Sequence, residues 1–403
     1  MKECYAIIID GLNSLQKLTS GDIMRSEKHY LRMWKLLQFL GHRFVVTKFN
    51  FKHDRYISDK PCLIISNHVT NWDPILVAMS FPKNNIHFVA SEHLFRMGFV
   101  SKLINFLVAP IARRKGSSGL DAAMNSLRTI KAGGTVGLFA EGECTWDGKS
   151  VDIFSATGTL AKASGAPLVT YRLEGGYFTM PRWNAGQRRG KMYGHVVNVY
   201  QPEELKKMRP EEVAAIINRD IYEDAQERQK TEKQRFRSRK RAEALESMLC
   251  LCPKCRKVGG MKSKGIYLSC ECGHKVEFTE YGVFQPAEPF ETIGEWDKWQ
   301  NEIIVSGDFE HGEEMFADEN IMLNTVDDDH NVQTLHTGRL CLKDGALHIG
   351  GREFRLDKIH NMGIVRTNRL FFNYDDVYYE LRSKELLCLR KYRIVWLTAN
   401  GQN

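Results

Sequence analysis

Short apolar runs alternate with stretches of helical spacing through the first half of the chain. CLIIS from Cys62, IHFVA from Ile86, TVGLFA from Thr135, PLVTYRL from Pro167 and HVVNVY from His195 are β-rich and brief, as strands buried in a sheet are. Helical spacing begins near Pro74, Gly119 and Thr157, and also over residues 1 to about 50, where Leu31, Trp34 and Gln38 recur in YLRMWKLLQFLG, flanked by Leu37. Strands alternating with helices predict an α/β domain over residues 1–205, with a mixed central sheet, flanking helices and N-terminal helices.

Polarity rises after Pro202, and the charges thicken into RQKTEKQRFRSRKRAEALES. That run reads as a solvated helix leading out of the domain, a charged helical linker over 206–248. A cysteine-rich segment, 249–285, follows, then a linker with Pro286 and Pro289 and an acidic patch. From about Thr334 alternating runs return, with Lys343-Asp344-Gly345 between two of them as a hairpin signal, and KELLCLRKYRIVWL closes the pattern as a helix. Strands in series with one terminal helix predict a small β-domain over 300–403.

Composition narrows the class. Of 403 residues 43% are hydrophobic, yet no run reaches the roughly 18 apolar residues of a membrane-spanning helix. The start, MKECYAIIIDGLN, has an acidic residue where a signal peptide keeps a basic region, so the expectation is a cytoplasmic protein, peripheral on the cytoplasmic face of a membrane. The formal charge of +8 calls for an anionic partner. Five of the ten cysteines crowd between Cys250 and Cys272, which argues for metal in a reducing compartment. Cys252-Pro-Lys-Cys255 and Cys270-Glu-Cys272 can present four thiolates to one structural Zn2+, with Cys250 and His274 as substitutes because the second pair has a single intervening residue. The segment resembles a zinc ribbon. The last 70 residues are similar in strand succession to pleckstrin-homology domains, which implies membrane or protein docking.

The chemistry collects at predicted strand ends. His68 lies in the turn after CLIIS, and Asp73, before Pro74, fits a helix N-cap with proline at the first helical position. A carboxylate accepting the imidazole Nδ1 proton would leave Nε2 to act as a base. Alone, the two residues are better read as a histidine satisfying a turn and an aspartate capping a helix. Glu141-Gly142 ends another apolar run, and Arg113-Arg114 follows a third, where guanidinium groups can hold a phosphate.

Taken in order, His68-Val69-Thr70-Asn71-Trp72-Asp73, Pro110-Ile111-Ala112-Arg113, Phe139-Ala140-Glu141-Gly142-Glu143-Cys144-Thr145 and Ala166-Pro167-Leu168-Val169 resemble the four blocks of the glycerolipid acyltransferases, which acylate glycerol 3-phosphate and lysophosphatidic acid. The resemblance covers roughly residues 55 to 200. It implies transfer of a fatty acyl group from acyl-CoA or acyl-carrier protein to a lysophospholipid hydroxyl, with His68 as general base, Asp73 orienting it, and Asn67, Arg113, Arg114, Glu141, Gly142 and Thr145 around the acceptor. No catalytic cofactor beyond the thioester donor is implied. Cys144 stands where arginine is common and Thr145 where serine is common, so one phosphate or acceptor contact is either missing or supplied by Arg114, Arg182, Arg188 or Arg189. SEHLFRMGFVSKLINFLVAP puts Phe95, Phe99, Leu103 and Phe106 on one stripe beside Arg96 and Lys102, which suits either an anionic membrane surface or an ordinary core. The rival to an enzyme is a degenerate acyltransferase serving as a lipid- or protein-binding module. Nucleic acid is not expected as a partner.

Overall fold

The structure, a computed structural model, describes residues 20–91, 94–95, 99–113, 119–184, 186–327 and 331–401. The helical reading of residues 1–19, and the expectations placed on Arg96 and Arg114, fall outside them. The chain forms two compact units, neither of them a continuous stretch: residues 1–145, 149–176 and 191–224 make the first, and 146–148, 177–190 and 225–403 the second.

The first unit is built on a mixed seven-stranded sheet. Its strands are β1 (Phe51–His53), β2 (Leu63–Ser66), β3 (Ile86–Ser91), β4 (Ile111–Arg113), β5 (Thr135–Phe139), β6 (Leu168–Glu174) and β7 (Met192–Tyr200), in the order β1-β7-β6-β2-β5-β3-β4. β6, β2, β5, β3 and β4 run parallel, and β7 is antiparallel to β6. The carboxyl ends of β2, β4 and β5 therefore lie along one edge, where ligands collect in open α/β sheets.

Helices α1 (Ser20–Phe49), α2 (Asp73–Ser80), α3 (Phe99–Val108), α4 (Leu120–Lys131), α5 (Ala156–Ser164), α6 (Pro202–Lys207) and α7 (Pro210–Ile221) complete this unit. One core joins Leu63, Ile65, Val136 and Leu168 of the sheet to Ile130 of α4, Ala161 of α5 and Val213 and Ile217 of α7. At that contact α5 and α7 approach so closely that a Cβ on Gly158 would lie 2.0 Å from the Pro210 carbonyl oxygen. α1 is tied to α2 and its following turn, with Trp34 Nε1 donating to the Phe81 carbonyl at 3.0 Å and Gln38 Nε2 to the Ala78 carbonyl at 2.6 Å.

The charged run departs from a solvated helix. Its helical part is α8 (Ala225–Glu232), after which Lys233 takes a positive φ of 47° and the chain proceeds through turns to a single 3-10 turn, Leu245–Ser247. Ala242, Leu245 and Met248 are fully buried, Arg241 pairs with Glu277, and Ala242 N–H donates to the Gly265 carbonyl at 2.9 Å. Packing of these apolar positions and pairing of the basic ones replace the uniform hydration that a free charged helix needs.

In the second unit β8 (Met261–Lys264), β9 (Tyr267–Cys270), β10 (Lys275–Phe278) and β11 (Phe284–Gln285) form an antiparallel sheet in the order β11-β10-β9-β8. α9 (Ile293–Ser306) packs on the preceding turn, where Trp296 Nε1 donates to the Leu251 carbonyl at 3.0 Å. A larger antiparallel sheet follows: β12 (Phe316–Val326), β13 (Val332–Lys343), β14 (Ala346–Ile349), β15 (Arg352–Arg355), β16 (His360–Val365), β17 (Arg369–Tyr374) and β18 (Val377–Arg382). Its order is β15-β14-β13-β12-β18-β17-β16, so the first strand pairs with both the second and the last, and helix α10 (Arg390–Ala399) closes the chain. Lys343 pairs with Ala346 across the hairpin, and Asp344 and Gly345 both take the positive φ that a two-residue turn of this hand requires. Among the described residues no helix is long and apolar enough to cross a membrane.

Candidate active site

β2 ends at Ser66, and the turn that follows carries His68 back against Asp73. The His68 Nδ1 to Asp73 Oδ2 distance is 2.8 Å. Asp73 is fully buried, and the same Oδ2 accepts from Val69 N–H at 2.5 Å and Thr70 N–H at 2.8 Å, while Oδ1 accepts from the Thr70 hydroxyl at 2.8 Å. This differs from the expected cap: Trp72 holds the N-cap position of α2, Asp73 is the first helical residue, and its carboxylate turns back onto the preceding turn. It therefore fixes the loop that carries the imidazole as well as the ring.

His68 retains 20% of its side-chain exposure. Its ring stacks on Phe139 of β5, with centroids 4.4 Å apart. Cys144 Sγ lies 3.5 Å from Nδ1 and 3.4 Å from Nε2. A sulfur almost equidistant from both nitrogens cannot sit in the ring plane, where it would overlap the carbon between them, so it rests against the face. The in-plane lone pair of Nε2 points elsewhere. Burial pulls the His68 pKa down, but Cys144 and the Asp73 carboxylate push it up further, and the balance lies well above the ordinary imidazole value.

Glu141, after β5, reaches the same loop. Oε1 accepts from His68 N–H at 2.8 Å and Oε2 from Val151 N–H at 3.2 Å, with the residue 5% exposed. Burial pushes its carboxyl up to about 7, against those two donors. Blocks that are 73 residues apart in sequence thus share one hydrogen-bonded scaffold.

A family model described as Acyltransferase matches residues 48–174. Residues 48–174 are an acyltransferase-family domain. The chloroplastic 1-acyl-sn-glycerol-3-phosphate acyltransferase of Brassica napus is 27% identical over 130 residues, 32% of this chain and 37% of that protein, so the chain spans little more than a third of that relative's length. The crystal structure of the 1-acyl-sn-glycerophosphate acyltransferase PlsC of Thermotoga maritima aligns with a TM-score of 0.39 and 17% identity, over 55% of this chain and 96% of that one.

Within the acyltransferase domain the remaining expected residues divide. Arg113, the last residue of β4, sits beside the Glu141-Gly142 turn: its guanidinium carbon is 5.3 Å from the Phe154 ring centre, and a Cβ on Gly142 would come 3.9 Å from an Arg113 terminal nitrogen. Gly142 has φ +81°, and that Cβ would also meet the Phe154 ring at 2.8 Å, so the turn demands glycine. Asn67 and Thr145, expected around the acceptor, are both engaged with backbone groups. Asn67 is 1% exposed, and its amide exchanges two 2.8 Å hydrogen bonds with the backbone of Leu173, locking the end of β2 to β6. Thr145 donates its hydroxyl to the Lys149 carbonyl at 2.8 Å and its N–H to the His68 carbonyl at 2.9 Å. The family resemblance placed both around the acceptor; in the structure Asn67 joins the ends of two strands and Thr145 closes the turn to Lys149. Arg188 is also committed: it is 2% exposed and donates to the carbonyls of Phe178 and Arg241.

The thiols of Cys252, Cys255, Cys270 and Cys272 lie within 4.8 Å of one another, an arrangement that can hold a metal ion. Cys252 and Cys272 sulfurs are 3.6 Å apart and Cys255 and Cys270 sulfurs 3.7 Å. Those separations far exceed the roughly 2.0 Å of a disulfide and match the roughly 3.8 Å between sulfurs placed tetrahedrally about 2.3 Å from one ion. Cys250 and His274 stand apart from the set: Cys250 meets Cys388, and the His274 ring packs edge-on against Trp296.

Proposed function

We propose that the chain transfers a fatty acyl group from acyl-CoA or acyl-carrier protein to the free hydroxyl of a lysophospholipid such as 1-acylglycerol 3-phosphate, in phospholipid biosynthesis. The 2.8 Å His68 to Asp73 contact carries this reading. With Nδ1–H held by the carboxylate, Nε2 removes the hydroxyl proton as the oxygen attacks the thioester carbonyl carbon. The carbon–sulfur bond then breaks, and the imidazolium returns the proton to the departing thiolate. No acyl-enzyme forms. General-base catalysis of this kind contributes about 10² to 10⁴-fold, and holding both substrates in place supplies much of the rest.

Arg113 holds the acceptor phosphate, and Glu141 and Gly142 shape the turn beside it. The four cysteines hold one structural Zn2+, and with every position filled by sulfur the ion has no open site for catalysis. The sheet from β12 to β18 with α10 is read as a pleckstrin-homology-like module. An exposed apolar face supports docking on an anionic membrane from the cytoplasmic side. Leu36, Phe39, Leu40 and Phe44 of α1 and Phe99 and Leu103 of α3 are exposed beside Arg32, Lys35, Arg43 and Lys48, and α1 meets α3 where His29 lies 3.2 Å from the Phe106 carbonyl.

The test is product analysis by mass spectrometry with a panel of lysophospholipids and both thioester donors. Acylated product from the parent and none from a folded His68→Ala variant is expected. Product from the variant at the parent's rate, or none from the parent with any pair, overturns the reading.

A further inference from the structure

Between Thr145 and Lys149 the chain leaves the first unit for three residues, Trp146 to Gly148, which belong to the second. Each of the three is fastened there. The Trp146 carbonyl accepts from the Tyr177 hydroxyl at 3.0 Å, the Asp147 carbonyl from Gln226 Nε2 at 2.8 Å, and the Gly148 carbonyl from Ala225 N–H at 2.9 Å. Gly148 has φ +93°, and a Cβ there would strike the Tyr177 ring at 2.7 Å.

The Trp146 side chain is 7% exposed, and its indole N–H has no hydrogen-bond partner among the described residues, so the ring is held by its faces. The Arg182 guanidinium lies 3.8 Å from the ring centre and that of Arg390 5.4 Å. Both cations are themselves anchored far along the chain, Arg182 on the Ile364 carbonyl of β16 at 3.1 Å and Arg390 on the Asp297 carboxylate of α9, with a 2.8 Å bond to Oδ2. A desolvated guanidinium over an indole is among the stronger cation–π contacts.

The peptide that precedes this anchor is the one that matters for chemistry. Thr145 N–H donates to the His68 carbonyl, and Cys144 rests on the His68 ring. From this continuity we propose that Trp146 is a positioning residue for acyl transfer, holding the Cys144-Thr145 segment against His68 because its own ring is held by guanidinium groups supplied by residues C-terminal to the family domain. The proposal rests on the reading of His68 as the base. It gives the appended region a part in turnover that a separate docking module would not have.

The test uses the full-length chain with Trp146→Leu, Trp146→Phe and Arg182→Met, the last a half-buried change that leaves the core intact. Turnover and hydrogen exchange of peptides spanning 66–72 and 139–147 are both measured. Trp146→Leu and Arg182→Met should lower kcat at least tenfold and fivefold with acceptor KM within about twofold, Trp146→Phe should restore most of the rate, and both peptides should exchange faster. A merely structural role would lower the amount of folded enzyme without changing kcat per folded site. If Trp146→Leu does not fold, Arg182→Met decides alone. Parental kcat in a folded variant overturns the proposal. Should the parent show no acyl transfer, the function reading falls, and unchanged exchange in Arg182→Met overturns the anchor separately.

Discussion

Asp73→Asn separates the two duties of the buried carboxylate. Asp73 accepts four hydrogen bonds, three of them at Oδ2. If the asparagine oxygen takes the place of Oδ2, the NH2 faces the Thr70 hydroxyl, which already accepts from Trp72 N–H and must accept a second bond while its own proton loses the Oδ1 acceptor. Beyond that hydroxyl bond, what is lost is the charge assistance in three bonds, about 1 kcal/mol each, or about 3 kcal/mol in all. With the amide flipped, its NH2 meets two backbone N–H groups and donates to Nδ1, which costs more and leaves Nε2 protonated and unable to act as a base. In the first orientation the tautomer survives, but the imidazolium formed during transfer faces a neutral amide. Turnover should therefore fall by about 10² to 10⁴-fold in either case. Urea denaturation of the full-length protein gives the first quantity and initial rates of lipid acylation the second. A folded variant within threefold of parental turnover refutes the assignment of His68 and Asp73 as a catalytic pair. A stability loss below about 1 kcal/mol refutes the four-bond account of the loop.

Four further expectations follow from the structure. The base must be neutral, and the pKa of His68 is raised by Cys144 and Asp73 beyond what burial takes away, so the acidic limb of kcat/KM should lie above the ordinary imidazole value of about 6.5; a limb at or below 6 contradicts it. Protonation of Glu141, whose carboxyl titrates near 7, weakens its acceptance from His68 N–H over the same range and steepens the fall as pH drops. Arg113→Met should raise acceptor KM about tenfold for a phosphate-bearing lysolipid and leave an acceptor without phosphate unaffected, whereas equal effects on both would deny the phosphate contact. The protein should contain one zinc per chain, and chelation should expose four thiols and open residues 250–280 to protease, since a structural zinc carries much of the folding energy of so small a module; unchanged protease resistance in metal-free protein argues against it.

Five of the seven strands of the first unit, β2, β3, β5, β6 and β7, could be read from the sequence because each is a short apolar run between polar turns, whereas the three-residue β1 and β4 carry no such run. The dyad was legible because a turn between strand and helix brings His68 and Asp73 together, whatever the finer register. The register itself was not: N-cap and first helical turn differ by one residue, and only the pull of three backbone N–H and hydroxyl donors near Asp73 decides which way its carboxylate faces. Residues 233–248 misread as solvated helix because charge density hides four buried apolar positions, Phe236, Ala242, Leu245 and Met248, whose spacing follows the packed turns and not a helical stripe. Nothing in the sequence marks Trp146, since its partners Arg182 and Arg390 lie 36 and 244 residues further on.

The position of Cys144 bears on the kind of chemistry as well as its efficiency. A thiol beside a histidine raises the prospect of an acyl-cysteine intermediate, in which the imidazole would deprotonate sulfur along the axis of a ring nitrogen's lone pair. Here the sulfur lies against the ring face, at nearly the same distance from both nitrogens, while Phe139 stacks on the ring as well. That placement confines the imidazole plane and offers no line for proton transfer from sulfur to Nε2. In the proposed reaction Nε2 is therefore left to a hydroxyl oxygen arriving in the ring plane, and acyl transfer from thioester to hydroxyl needs no covalent intermediate.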